Sequence, residues 1–173
     1  MAMGDTTQKV AMDDTGARAV RSLKRDAVIA FLRDVLPSTL AGLPITLAYL
    51  HGSVMREALH SESDVDIALV ASHPLPGLEQ LDLELDLNAA LERLGLPRPD
   101  VRIINRAPAD AQAKIIRLGY VVFVADAEAK IAYEHATLDQ AAAMAGTLER
   151  ERRDYVARAK AELLSKGLLH ARR

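Results

Sequence analysis

The chain has 173 residues and a formal net charge of −2; it is 50% hydrophobic but only 3% aromatic, with no Trp and no Cys. That length suits one domain with a genuine core, and the missing thiols exclude disulfides, thiolate metal sites and cysteine nucleophiles together. A near-neutral, aromatic-poor chain lacks both the basic field for a non-specific grip on DNA and the stacking platforms for single strands, so no nucleic-acid partner is expected. Met1 to Thr15 is polar and has no apolar h-region, unlike a signal peptide. No apolar run approaches a membrane span of ~20 residues. A soluble cytoplasmic protein is expected.

Residues 1–16 read as a disordered leader. From Arg18 to Leu36, apolar Val20, Leu23, Ala27, Val28, Phe31, Leu32, Val35 and Leu36 recur at helical spacing opposite a charged face, and Pro37 is expected to stop that helix. A turn over residues 40–44 precedes a first strand at 45–51. Val54 to Leu59 reads as a short helix whose first turn is at Ser53. A second strand covers 65–71, and the Pro- and Gly-rich stretch 73–77 is a loop. Leu78 to Leu94 is a second long helix, with Leu81, Leu85, Ala89, Leu91 and Leu94 on its apolar side and Gly95 at its cap. Pro97-Arg98-Pro99 leads to a third strand, Asp100 to Ile104. Pro108 to Leu118 reads as a helix with proline at its start, capped by Gly119. Tyr120 to Val124 is a fourth strand, and Ala127 to about Lys166 reads as one or two helices. Strands alternating with helices, without repeats or a domain boundary, predict an α/β or α+β layer fold.

The chemistry concentrates in HGSVMREALHSESDVDIALV, residues 51–70. Asp64 and Asp66 alternate on a strand and so share a face. Two adjacent carboxylates repel, an arrangement that is costly unless a cation sits between them. Gly52-Ser53 ends the preceding strand and opens a turn whose backbone N–H groups suit a phosphate. The pattern Gly-Ser-x10-Asp-x-Asp should arise by chance in roughly two of a thousand chains of this length, so its placement between two strands matters as much as its letters. A phosphate cradle beside a dicarboxylate is what nucleotidyl transfer from a magnesium nucleoside triphosphate needs.

These residues resemble the signature of the DNA polymerase β nucleotidyltransferase superfamily, and their spacing resembles the minimal nucleotidyltransferases that act as antitoxins beside HEPN-domain toxins. Gly52, Ser53, Asp64 and Asp66 match the motif, and the order of elements matches from about residue 20 to 125. The resemblance implies an α+β nucleotidyltransferase fold, a small mixed sheet flanked by helices. The domain would cover 17–126, with 127–173 as its C-terminal helical extension. It also implies Mg²⁺ with ATP as donor, and transfer of AMP to a tyrosine of the cognate toxin, which silences it. Asp64 and Asp66 would hold the metal, and Gly52 and Ser53 the phosphates. A third acid is implied on the next strand; Asp100 is the candidate, to help hold the metal and take the proton from the attacking hydroxyl. Asp82, Glu84 and Asp86, at helical spacing, read instead as a solvated face.

The chain departs from the family after Ser53, where Val54-Met55 stand in place of Arg or Gly. Arg56 is the base that remains before the acids, and is a candidate phosphate contact, while Glu57 and Glu62 add negative charge. His51 reads as a strand-end histidine, and no metal-ligand spacing links the others. Glu149 to Arg153 and the bases beyond read as a solvated helix face or a docking surface for a partner. Two other functions stay open: a small-molecule nucleotidyltransferase of the aminoglycoside-modifying kind, which usually needs a further domain for its acceptor, and a non-catalytic antitoxin that neutralises by binding alone.

Overall fold

The computed structural model describes residues 14–55 and 64–165. The first amphipathic run forms α1 (Asp14–Thr39), which buries Ile29, Leu32 and Leu36 along one stripe. It begins within the stretch read as leader. Pro37 does not stop it; the helix continues to Thr39. A proline removes the hydrogen bond its own N–H would give, and in this last turn the Ser38 and Thr39 hydroxyls donate to the Val35 carbonyl at 3.0 and 2.8 Å.

Four strands follow: β1 (Ile45–Leu50), β2 (Val65–Ala71), β3 (Pro99–Ile103) and β4 (Tyr120–Val124). They form one sheet in the order β3-β2-β1-β4. β1 is antiparallel to β2 and β4, while β3 is parallel to β2. The parallel pair is joined by the helical crossover it requires, α2 (Gly77–Arg93). The last two helices are α3 (Ala109–Leu118) and α4 (Ala127–Ser165). Among the described residues the fold is thus α+β, a mixed four-stranded sheet with four α-helices, the C-terminal one long. His51, expected in the first strand, lies just past β1. Gly52–Val54 form a 3-10 turn; most of the short helix expected from Val54 to Leu59 falls in residues 56–63, which lie outside the described ones. No described helix is long and apolar enough to cross a membrane.

Alternation along β2 separates two cores. Val65, Ile67, Leu69 and Ala71 join Leu32 and Leu36 of α1 and Leu87 and Leu91 of α2 in the larger aliphatic cluster. Ala68 and Val70 join Leu47 and Tyr49 of β1, with Ile115, Ile116 and Tyr133 packed against them from α3 and α4.

The buried side of α2 differs from its leucine pattern. Leu81, Leu85 and Leu94 are exposed, and Glu84, read as solvated, is buried. The reason is the edge of the sheet. β3 is an edge strand, whose outward N–H groups need partners. Asn88 Oδ1 accepts from Val101 N–H at 2.9 Å, and Glu84 Oε1 accepts from Ile103 N–H at 2.8 Å. Gln80 Nε2 donates to Glu84 Oε1 and to the Ile103 carbonyl, at 2.8 and 3.1 Å. A stripe at positions 80, 84 and 88 therefore closes the edge, and the helix rotates its polar residues inward. Asp82 and Asp86 are exposed, as their spacing suggests.

Candidate active site

The chain leaves β1 at His51, whose backbone N–H donates to the Asp66 carbonyl at 3.0 Å. It then turns at Gly52 with a left-handed φ of +74. A Cβ there would collide with Asp66 Oδ2 and fall 2.7 Å from its Cγ. Glycine is required twice over, for the dihedral and for the contact with the carboxylate. Ser53 follows, half-buried. Gly52–Val54 form a 3-10 turn, whose local N–H groups can reach toward an anion.

Asp66 pairs with Asp100 in the parallel β2–β3 register. Ladder partners share a face, and Asp64, two residues before Asp66, belongs to the same one. Arg98, just before β3, and Arg102, within it, flank Asp100. Arg98 Nε donates to Asp64 Oδ1 at 2.9 Å, and its Nη2 lies 2.7 Å from the same oxygen. Arg102 Nε donates to Asp100 Oδ1 at 2.9 Å, and its Nη1 lies 3.6 Å from Glu84 Oε2. Asp66 has no such donor among the described residues. The edge-sealing Glu84 therefore also steadies Arg102, and through it Asp100.

Asp64, Asp66 and Asp100 carry hard oxygen donors of the kind Mg²⁺ takes, and the Gly52 turn stands against the Asp66 carboxylate. In chemistry and register the residues fit a magnesium nucleotide. Their side chains are not gathered into a metal nest: among the described residues no three acidic or histidine groups are. A cation would take the places that two arginines fill.

His51 stands beside this cluster. Burial pushes its imidazole below the ordinary histidine range, while the Asp66 and Asp100 charges pull it upward without cancelling the effect. Next to it a cleft of about 360 Å³ opens between Gly52 and α3, with Ala111, Lys114, Ile115 and Leu118 on the α3 wall. The wall is apolar except for Lys114, an exposed cation that lines the same cleft as Gly52. Gly119 closes the corner of this wall, where a Cβ would meet the Ile115 carbonyl at 2.6 Å and the Leu50 carbonyl at 3.1 Å.

Of the residues singled out in the sequence, Gly52, Ser53, Asp64, Asp66 and Asp100 come together. Arg56 lies outside the described residues. Arg98, Arg102, Glu84 and Lys114 were not anticipated. Arg102, two residues after Asp100 on β3, was readable from strand alternation; no signal placed Arg98, which precedes the strand at a left-handed φ, or Lys114, which depends on where α3 packs.

Residues 37–128 match the family model described as Polymerase beta, Nucleotidyltransferase. No curated protein matches the chain. Among solved structures, the chain is similar to a toxin–antitoxin complex crystallised with AMP-PNP, with a TM-score of 0.49 and 20% identity, covering 79% of this chain and 98% of that one. It is also similar to the MntA–HepT toxin–antitoxin complex, with a TM-score of 0.45 and 19% identity, covering 80% and 98%. A third similar structure is a tri-AMPylated Shewanella oneidensis HEPN toxin in complex with MNT antitoxin, with a TM-score of 0.44 and 20% identity, covering 81% and 98%.

Proposed function

This chain belongs to the Polymerase beta nucleotidyltransferase family, and we propose that it is an antitoxin that transfers AMP from Mg-ATP to a tyrosine of a cognate HEPN-domain toxin. The observation that carries the enzymatic part is the contact between the Gly52 turn and the Asp66 carboxylate, with Asp100 in register beside it. The antitoxin part rests on the spacing of Gly52-Ser53 and Asp64-x-Asp66, which resembles the minimal nucleotidyltransferases.

Asp64 and Asp66, with Asp100, would hold the metal. Magnesium, when bound there, supplies charge neutralisation on the triphosphate and on the departing pyrophosphate. Gly52 admits a phosphate to the backbone, and Ser53 can donate its hydroxyl to it. Lys114 adds the positive charge that the residues just after Ser53 do not provide. Asp100 accepts the proton of the tyrosine hydroxyl as its oxygen bonds to the α-phosphorus. The bond from that phosphorus to the bridging oxygen breaks, and pyrophosphate leaves. Docking of the toxin falls to α4. From Ala142 to Arg158 every residue is exposed, and Met144, Leu148 and Tyr155 lie on one side of this projecting arm.

That arm supports a second reading, neutralisation by binding alone. Intact mass of the product of the neighbouring gene separates the two, after incubation with this chain, Mg²⁺ and ATP. Mass gain in steps of one AMP, absent with the Asp64→Asn/Asp66→Asn protein, is the expected result. A tight complex without mass gain would overturn the catalytic reading and leave occlusion.

A further inference from the structure

We infer that Arg98 is a built-in competitor for the metal position: it holds the Asp64 oxygen that a divalent cation would take, and yields it when cation and triphosphate arrive together. The inference rests on the nucleotidyltransferase reading and assigns a role to a residue outside the motif.

The backbone is the first observation. Arg98 is the one non-glycine residue with positive φ among the described residues, at +49. L-residues avoid that region, and a residue that precedes proline, as Arg98 precedes Pro99, is pushed toward extended geometry. Three residues earlier the chain uses Gly95 for the same sign of φ. An arginine is thus held where both its chirality and its neighbour oppose it.

The side chain is the second. Both Nε and Nη2 converge on Asp64 Oδ1, while the Arg98 carbonyl accepts from Val65 N–H at 3.0 Å. Arg98 therefore clamps two consecutive residues where the chain enters β2. Stability does not account for the arrangement. The two side chains are 54% and 57% exposed, and so open a pair contributes little. The same openness makes it replaceable by a divalent cation. The guanidinium fork then matches phosphate oxygens as well as it matches a carboxylate. A cation alone must evict Arg98 with no new partner for it; a cation carrying a triphosphate brings that partner. Metal and nucleotide consequently bind with positive coupling, each raising the affinity for the other by the same factor.

Mn²⁺ is the probe, with free ion counted by its electron spin resonance, in the presence and absence of α,β-methylene ATP, which cannot transfer AMP. Arg98→Gln removes the charge and keeps the strained backbone; Arg98→Gly removes both. Both variants are expected to bind Mn²⁺ alone about three- to tenfold tighter than the unaltered chain, and to lose a similar factor of the nucleotide-induced gain. Asp64→Asn should abolish the tight Mn²⁺ site in every background. If neither variant tightens Mn²⁺ while the analogue still enhances binding to the unaltered chain, the inference falls and the nucleotidyltransferase reading stands. If Arg98→Gly alone tightens, backbone relief and not charge is the cause, and the inference also falls. If no protein binds Mn²⁺ with the analogue, both readings fall together.

Discussion

The face of the sheet turned to α1 and α2 is an aliphatic layer, in which Val65, Ile67 and Leu69 of β2 meet Leu32, Leu36, Leu87 and Leu91. The opposite face starts with Asp64 and Asp66 on the same strand and becomes apolar only at Ala68 and Val70. There the buried Tyr49 donates its hydroxyl to Glu134 at 2.9 Å, and Lys130 pairs with Glu134 at 2.7 Å. One strand thus serves stability on one side and charge on the other. Like charges at Asp66 and Asp100 are destabilising where they stand, and the aliphatic face is what lets the fold tolerate them.

Asp66→Asn tests this contrast most severely. It should lower AMP transfer by on the order of 10³-fold, about 4 kcal/mol, while thermal stability stays the same or rises as repulsion with Asp100 is relieved. Parallel assays of AMP incorporation and melting would show it; a falling melting temperature with activity intact would invert the assignment of the two faces. Leu69→Ala, on the aliphatic face, should cost about 3 kcal/mol of stability in urea titration. A loss below about 1 kcal/mol would mean that stability is not drawn chiefly from that side.

Gly52→Ala joins the two effects. The left-handed φ should cost about 1–2 kcal/mol, read in the same titration. Because the new Cβ displaces the Asp66 carboxylate, the rate should fall by more than the stability does. Glu84→Ala leaves the Ile103 N–H without its acceptor and should cost roughly 1–3 kcal/mol. Glu84→Gln keeps an acceptor and should cost less. Equal losses in the two would argue that the charge toward Arg102, and not closure of the strand edge, is what matters.

The smallest effect concerns pH. His51 has a lowered pKa in the fold, so the unfolded chain binds its proton first. Stability contributed by neutral His51 is present above the ordinary histidine value of about 6.5 and declines as pH falls from there toward the depressed folded value. His51→Asn should flatten the dependence of melting temperature on pH in that window; an unchanged slope would assign it to another group.

Much of this was legible along the chain. The helical spacing of residues 18–36 is realised as α1, which buries Ile29, Leu32 and Leu36; β2 is a strand as its composition suggests, but from Ile67 onward it is buried on both faces, because apolar clusters form on either side of it. Asp64, Asp66 and Gly52 could be singled out because charge on a strand and glycine at its end have few structural excuses. The helix α2 misled for a physical reason. Its leucines suggested one buried side, but an edge strand with unpaired N–H groups required Gln80, Glu84 and Asn88 there instead, and a hydrogen-bonding demand from β3 cannot be seen in the sequence of α2. Pro37 misled likewise, since a proline in the final turn removes one bond and nothing more.

The sequence by itself determined the strand and helix segments, the face on which the acids lie, and the glycine at the turn. These depend on local periodicity and on the conformational limits of single residues. Tertiary structure alone decided that Asp100 stands opposite Asp66, that Lys114 lines the cleft beside Gly52, and that Arg98 and Arg102 take two of the three carboxylates. Each of those depends on the register of a parallel pair or the packing of a helix, distances set between segments far apart in the chain.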